Sequence, residues 1–254
     1  MGMFCTLASG STGNCSVYKW GDLCVLIDAG ISTRCISRGL AELGLRVADV
    51  THILLTHSHT DHTKALPVLL KHTAAPVLCS GRTALDIGLP TERHLPLGPG
   101  RYRLGALPMT AFATHHDAPG SLGFVLGSGA GKLGYCTDTG HLTGEMVELL
   151  KGCPTLVLES NHDPEMLENG PYPWPLKQRV GSPYGHLSNE QCARAAAELA
   201  ASGTKTLILA HLSQHNNTPA LALETTRQAL AARGLECRLW AAPAEQGTPI
   251  FWEE

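Results

Sequence analysis

The chain has 254 residues, 43% of them hydrophobic and 16% charged, an ordinary composition whose length suits one large domain over 1–254 with a sizeable core. A formal net charge of −3 argues against extended, nonspecific duplex binding by charge alone, although a short basic groove stays open. No apolar run approaches the roughly 20 residues of a membrane span, and the N-terminus lacks a basic segment followed by a long apolar one, so a cytoplasmic protein is expected.

In chain order, strands are predicted over 3–8, 15–20 and 23–28, the first two joined by the small-residue loop Ser9-Gly10-Ser11-Thr12-Gly13-Asn14. Ser32 offers an N-cap to a helix running to about Leu43, with Gly44 as its stop. A strand over 52–56 runs into His57-Ser58-His59-Thr60-Asp61-His62, and a helix with Pro67 near its first turn follows. Further strands are predicted over 76–79, 107–114, 122–126, 132–137, 155–158 and 204–210, with helices over 143–151, 188–201 and 219–233. Ser188 and Gln191 fit a capping box, while the Pro- and Gly-rich stretch 168–185 reads as an irregular loop. Strands alternating with helices indicate an α/β sandwich. Nine cysteines without a Cys-x-x-Cys pair, most in apolar contexts, read as buried reduced thiols rather than disulfides or a thiolate metal site.

Four metal-competent side chains fall within the six residues 57–62, at the mouth of an apolar strand. They cannot all face one way along a strand or a helix, so the chain must turn and let them converge. The pattern is not the helical zincin motif, which needs His at i and i+4 with a Glu after the first. An internal echo extends the theme: Val25-Leu26-Ile27-Asp28 and Ile53 to His57 in the first half, Leu156-Val157-Leu158-Glu159 and Leu207 to His211 in the second. Each apolar strand ends in an acid or a histidine, which suggests two similar halves contributing strand-end residues to one site. Thr114-His115-His116-Asp117 and Thr137-Asp138-Thr139-Gly140 have the same form.

His57-x-His59-x-Asp61-His62, then His116, Asp138 and His211, resemble the ordered motifs of the metallo-β-lactamase superfamily. More narrowly, the segments 7–14, 26–30, 160–163 and 185–189, with Ala210-His211-Leu212-Ser213 and Asn216-Asn217, resemble its YycJ (WalJ) group, over most of the chain. The resemblance implies an αββα sandwich with a dinuclear site between its sheets. It gives His57, His59 and His116 to one metal, Asp61, His62 and His211 to a second, and Asp138 to both. His115 is the competitor for His116, which matches the family's His-Asp-Ala as His116-Asp117-Ala118. Imidazole and carboxylate ligands suit two divalent ions, zinc first and manganese as its rival.

The implied chemistry is a metal-shared hydroxide, oriented by Asp61, attacking phosphorus or a carbonyl. His186 stands where ribonuclease Z has a non-ligand His, and is the candidate for leaving-group help or phosphate anchoring. Glu159 and His162 are expected as its support or as substrate contacts, and Ser11, Asn14 and Asn216 as donors to phosphate. The interval from Asp138 to His211 is too short for a β-CASP cap, and that from His116 to Asp138 too short for the ribonuclease Z arm. The group resemblance implies a phosphodiesterase, foremost a 5′–3′ DNA exonuclease acting on DNA ends, with Lys177, Arg179, Trp174 and Tyr172 available to a single strand. Two alternatives stay open: a small-substrate hydrolase such as a thioesterase or cyclic phosphodiesterase, and a non-catalytic metal-binding regulator.

Overall fold

Short apolar runs that end in polar, small-residue loops become parallel strands whose connections are helical, as the alternation in the sequence requires. The computed structural model describes residues 2–244 and 251–253. The strands are β1 (Gly2–Ala8), β2 (Cys15–Trp20), β3 (Leu23–Ile27), β4 (His52–Leu54), β5 (Val77–Cys79), β6 (His94–Pro96), β7 (Gly100–Leu104), β8 (Leu107–Ala113), β9 (Leu122–Leu126), β10 (Leu133–Cys136), β11 (Thr155–Glu159), β12 (Thr206–Ala210), β13 (Arg238–Ala241) and β14 (Phe251–Glu253). The helices are α1 (Thr33–Glu42), α2 (Thr60–Thr63), α3 (Leu66–Leu69), α4 (Gly81–Asp86), α5 (Gly144–Leu150), α6 (Pro164–Asn169), α7 (Trp174–Val180), α8 (Asn189–Ala201) and α9 (Pro219–Ala231). The chain falls into two units, the first Met1–Ala113, Ala118–Leu122 and Pro243–Glu254, the second Thr114–Asp117 and Gly123–Ala242.

In the first unit the strand order is β14-β1-β2-β3-β4-β5-β6, antiparallel through β3 and parallel from β3 to β6. The β2–β3 hairpin turns on Gly21, whose φ of 56° lies in the region a primed two-residue turn demands. The parallel strands need crossovers, supplied by α1, by α2 with α3, and by α4. Residues two apart along β3, β5 and β4 with the residue after it (Cys24 and Leu26, Val77 and Cys79, Ile53 and Leu55) pack with Ile36, Leu40 and Leu69 in one apolar cluster. Ser32 caps α1 by accepting from the Cys35 N–H, and Gly44, with φ 72°, ends it. The antiparallel hairpin β7–β8 completes this unit.

In the second unit β9 to β13 take the order β13-β12-β11-β10-β9, with β9 antiparallel to β10 and the rest parallel. The capping box at Ser188 and Gln191 is present at the start of α8. Asp138 to His211 is spanned by α5, β11, α6 to α8 and β12, and His116 to Asp138 by β9 and β10, so no cap domain or arm is inserted among the described residues.

The irregular loop expected over 168–185 is corrected: it contains α7. Pro173 is the N-cap and Pro175 falls in the first turn, where the missing N–H has no intrahelical partner to lose. The elements α2, α4, α6, β6, β7, β13 and β14 were not anticipated either. Strand β6 is three residues, mostly exposed, so no hydrophobic period marks it. The nine cysteines are all unbridged and seven are buried, as expected. Burial pushes the thiols of Cys24 and Cys79 up to about 11 and about 12, which keeps them protonated and inert.

Candidate metal centre

In the first unit the C-terminal ends of β3 and β4 open side by side, because Leu26 pairs with Ile53 and Ile27 with Leu54. Asp28 leaves β3 there, and Thr56 and His57 leave β4. One Asp28 oxygen accepts from the Thr56 N–H (2.8 Å) and hydroxyl (3.0 Å), and the other from Nδ1 of His62 (2.8 Å). The Thr56 hydroxyl gives its one proton to Asp28, so toward Nδ1 of His57, 3.0 Å away, it can only accept. Both buried imidazoles therefore carry the Nδ1 proton and present an Nε2 lone pair, the form in which histidine ligates a metal. Asn14 Nδ2 donates toward that lone pair on His62 at 3.0 Å.

The rings gather around His57, with centroids of His59 and His62 at 4.6 and 4.1 Å. Asp61 follows His59 in the first turn of α2, its side chain 25% exposed and one oxygen 3.5 Å from Nε2 of His62. Its backbone is clamped. The Asn14 N–H donates to Asp61 O (2.7 Å), and a Cβ on Gly30 would stand 1.6 Å from that oxygen. The side chain of Asn14 closes the 9–14 loop by accepting from Gly10 N (2.9 Å) and donating to Gly10 O (3.0 Å). Ser11 is exposed at the tip.

The second unit repeats the device. Parallel β11 and β12 pair Leu158 with Leu209 and Glu159 with Ala210, so Glu159 and His211 meet at the strand ends. One Glu159 oxygen accepts from Nδ1 of His186 (2.7 Å) and of His211 (2.9 Å); the other accepts from the N–H groups of Thr139 (3.0 Å) and Leu187 (3.2 Å). Asp138, after β10, lies 3.2 Å from His211 and 3.8 Å from His186. These four residues offer ligand atoms all within 4.8 Å of one another. His116, not His115, borders them: its Nδ1 donates to Gly185 O (3.1 Å), leaving Nε2 3.9 Å from Asp138. His115 packs instead against His141, ring centroids 4.2 Å apart.

Burial and, less strongly, the neighbouring Asp138 push the Glu159 carboxyl up, but the charge and hydrogen bond of His186 and the hydrogen bond of His211 outweigh them and hold the group down to about 2. Asp28 is the contrasting case: burial raises its carboxyl against the opposing pull of a single imidazole and Thr56. Burial also holds the His162 imidazole down to about 4, hence neutral.

Among the described residues, three non-glycine positions have left-handed φ: Asp28 (62°), Asp138 (55°) and His211 (57°). All three stand at the ends of apolar strands and within the two clusters. A left-handed L-residue costs of order 1–3 kcal/mol and persists only where its surroundings impose it. The imposed contacts are visible: Asp28 N donates to Leu54 O (2.8 Å), and Asn161 Nδ2 holds His211 O (2.8 Å). The reversal swings each side chain off the strand and into its cluster.

Each unit thus gathers the expected residues on its side: His57, His59, Asp61 and His62 in the first, His116, Asp138, His186 and His211 in the second. Of the expected substrate contacts, Glu159 is fully buried by the hydrogen bonds above, and Asn216 is buried in the Ser213 turn. His162 is buried as well, on the loop beside Ser188. Asp28, Thr56 and Asn161 had been given no role. The echo of Asp28 with Glu159 was the signal for the first of them. Buried imidazoles with hydrogen-bonded Nδ1 atoms, joined by carboxylates and no thiolate, make a donor set that fits divalent metal.

Residues 24–212 match the model of the β-lactamase superfamily domain. Exodeoxyribonuclease YycJ of Bacillus anthracis is 37% identical over 237 residues, spanning 91% of this chain and 90% of that protein. Exodeoxyribonuclease WalJ of Streptococcus pneumoniae is 30% identical over 256 residues, spanning 96% and 95%. The crystal structure of the metallo-β-lactamase fold protein YhfI from Bacillus subtilis matches over 100% of both chains, with a TM-score of 0.74 at 16% identity.

Proposed function

The chain belongs to the metallo-β-lactamase superfamily and, within it, to the family of YycJ and WalJ, which makes it a metal-dependent hydrolase of the αββα fold class, and we propose that it is a phosphodiesterase removing nucleotides from the 5′ end of DNA. The observation that carries this reading is the pair of matched strand-end devices, Asp28 on His62 and Glu159 on His211, in a chain 37% identical to an exodeoxyribonuclease. The whole chain acts as one catalytic domain. His57, His59 and His116 would hold one divalent ion, Asp61, His62 and His211 would hold a second, and Asp138 would serve both; zinc suits these ligands best, with manganese as the alternative.

Bound there, the ions supply Lewis acidity, which acidifies water at neutral pH and offsets charge on phosphate. The protein's own groups do the rest. Asp61, with a partly exposed carboxylate on a clamped backbone, accepts a hydrogen bond from the attacking water and aims it at phosphorus. As the water oxygen bonds to phosphorus, the bond to the 3′ oxygen of the terminal nucleotide breaks, and that oxygen needs a proton. His186 is placed to give it: its side chain is 18% exposed, against 4% for His211 and 2% for Asp138. Ionised Glu159 accepts from Nδ1 of His186, which leaves the Nε2 proton as the one to give. Glu159 is a positioning residue; His186 is the catalytic acid.

Protein loaded with zinc or manganese is expected to release mononucleotides from 5′-phosphorylated DNA, and Asp61→Ala and His186→Ala to lose that release. Cleavage of a thioester or a small cyclic phosphodiester, with DNA left intact, establishes a small-substrate hydrolase instead. Metal uptake with hydrolysis of none of these substrates establishes a metal-binding regulator.

A further inference from the structure

Beside the second unit's cluster lie three rings that the reaction does not use. His115 precedes His116, His141 follows Asp138 by three residues, and Tyr184 precedes Gly185 and His186. The His115 ring has its centroid 4.2 Å from that of His141, tilted by 55°, and 6.4 Å from that of Tyr184, tilted by 32°. Tyr184 is 60% exposed, one of few large apolar side chains so open. Nothing in the chemistry of phosphate hydrolysis explains an exposed tyrosine beside two half-buried imidazoles at this point.

The row rests on a rigid base. His141 Nδ1 donates to Pro183 O (3.0 Å), and a Cβ on Gly140 would stand 2.3 Å from the Pro183 backbone, so residues 139–141 and 182–184 are pressed together. On the other side of Tyr184, His186 N donates to Val180 O (2.9 Å), and a Cβ on Gly185 would meet the carbonyls of Arg179 and Val180 at 2.2 Å. The C-terminal end of α7 thus clamps the segment that carries Tyr184. Arg179 is ion-paired to Asp117, which ties α7 to the residue after His116. With the backbone held this way, only the side-chain rotamer of Tyr184 has to be fixed when a flat partner lies on its ring.

We propose that Tyr184, with His115 and His141 beside it, forms a stacking ledge for the base that is unpaired at the end of a DNA strand as its phosphate is cleaved. The proposal rests on the nuclease reading above. Aromatic faces stack any base, which suits an enzyme that must advance through every sequence. A paired terminal base already has its faces stacked in the duplex and cannot lie on the ledge without opening. Base–aromatic stacking is worth about 1–3 kcal/mol per base, so loss of the Tyr184 ring corresponds to roughly 5- to 150-fold weaker binding.

The test uses a 5′-phosphorylated single strand with 2-aminopurine as its terminal base and a fluorophore at the far end, added to full-length protein in EDTA. Anisotropy then reads binding, and 2-aminopurine quenching reads stacking. Wild type is expected to bind and quench. Tyr184→Ala should bind about tenfold or more weakly without quenching, and Tyr184→Phe should behave as wild type, with unchanged thermal melting of both variants excluding misfolding. Equal binding and quenching by Tyr184→Ala overturns the ledge while leaving the nuclease reading intact. No anisotropy change with wild type, together with no DNA hydrolysis when metal is restored, overturns the nuclease reading and the ledge with it.

Discussion

Glu159 and Asp28 touch no substrate in this account, yet each decides what a histidine can do. A carboxylate on Nδ1 fixes both the ring and its tautomer, and the Nε2 lone pair is what binds metal or moves a proton. Glu159→Gln keeps the shape but cannot accept from two imidazoles and two backbone N–H groups as a carboxylate does. It should lower metal affinity or kcat by about 10–100-fold, measured by metal titration and DNA hydrolysis. Asp28→Asn should do the same through His62. His162 makes a different prediction. Its folded pKa is depressed to about 4 from 6.5, so between those values the unfolded chain binds more protons. Its stabilising contribution is therefore complete above about pH 6.5 and is lost as pH falls toward 4; urea unfolding across that range should show the slope, and His162→Gln should flatten it. At this scale the sequence was most legible where partners are neighbours. The residues at 57–62 announce themselves, whereas Asp28 and His62 are separated by 34 positions, and only the fold joins them.

The elements were legible where one period governs. Strands β2 and β9 agree with their expected bounds, and the caps of α1 and α8 follow from side-chain chemistry. Helix α7 was not, because prolines at its start look like loop composition while being harmless in a first turn. Glycines in the connecting loops carry a second message, that of close approach. Gly30 lies against Asp61 O, and Gly185 against the last carbonyls of α7. Gly30→Ala has no room at 1.6 Å, since the obstacle is backbone. It should cost about 1–3 kcal/mol in urea unfolding and displace the turn that carries Asp61 and His62, with a loss of activity exceeding the loss of folded protein.

Over the whole molecule, composition and alternation gave the α/β class, and the ordered motifs gave the family that the comparisons show. The internal echo announced two similar halves; what it did not announce was the left-handed backbone of Asp28, Asp138 and His211 and the carboxylate hydrogen bond that holds a histidine in each unit. Metal bound only by the folded chain must stabilise it. At about 100 times its Kd, an ion should add about 2.7 kcal/mol and raise Tm by roughly 5–10 °C, reversed by EDTA and absent in His57→Ala. The central claim, that these groups remove nucleotides from a DNA 5′ end, is tested most directly with one oligonucleotide labelled in turn at each terminus. Metal-loaded protein should release the 5′ label at once as a mononucleotide while the 3′-labelled strand shortens progressively. Immediate release of the 3′ label, or no release from either end, would contradict it.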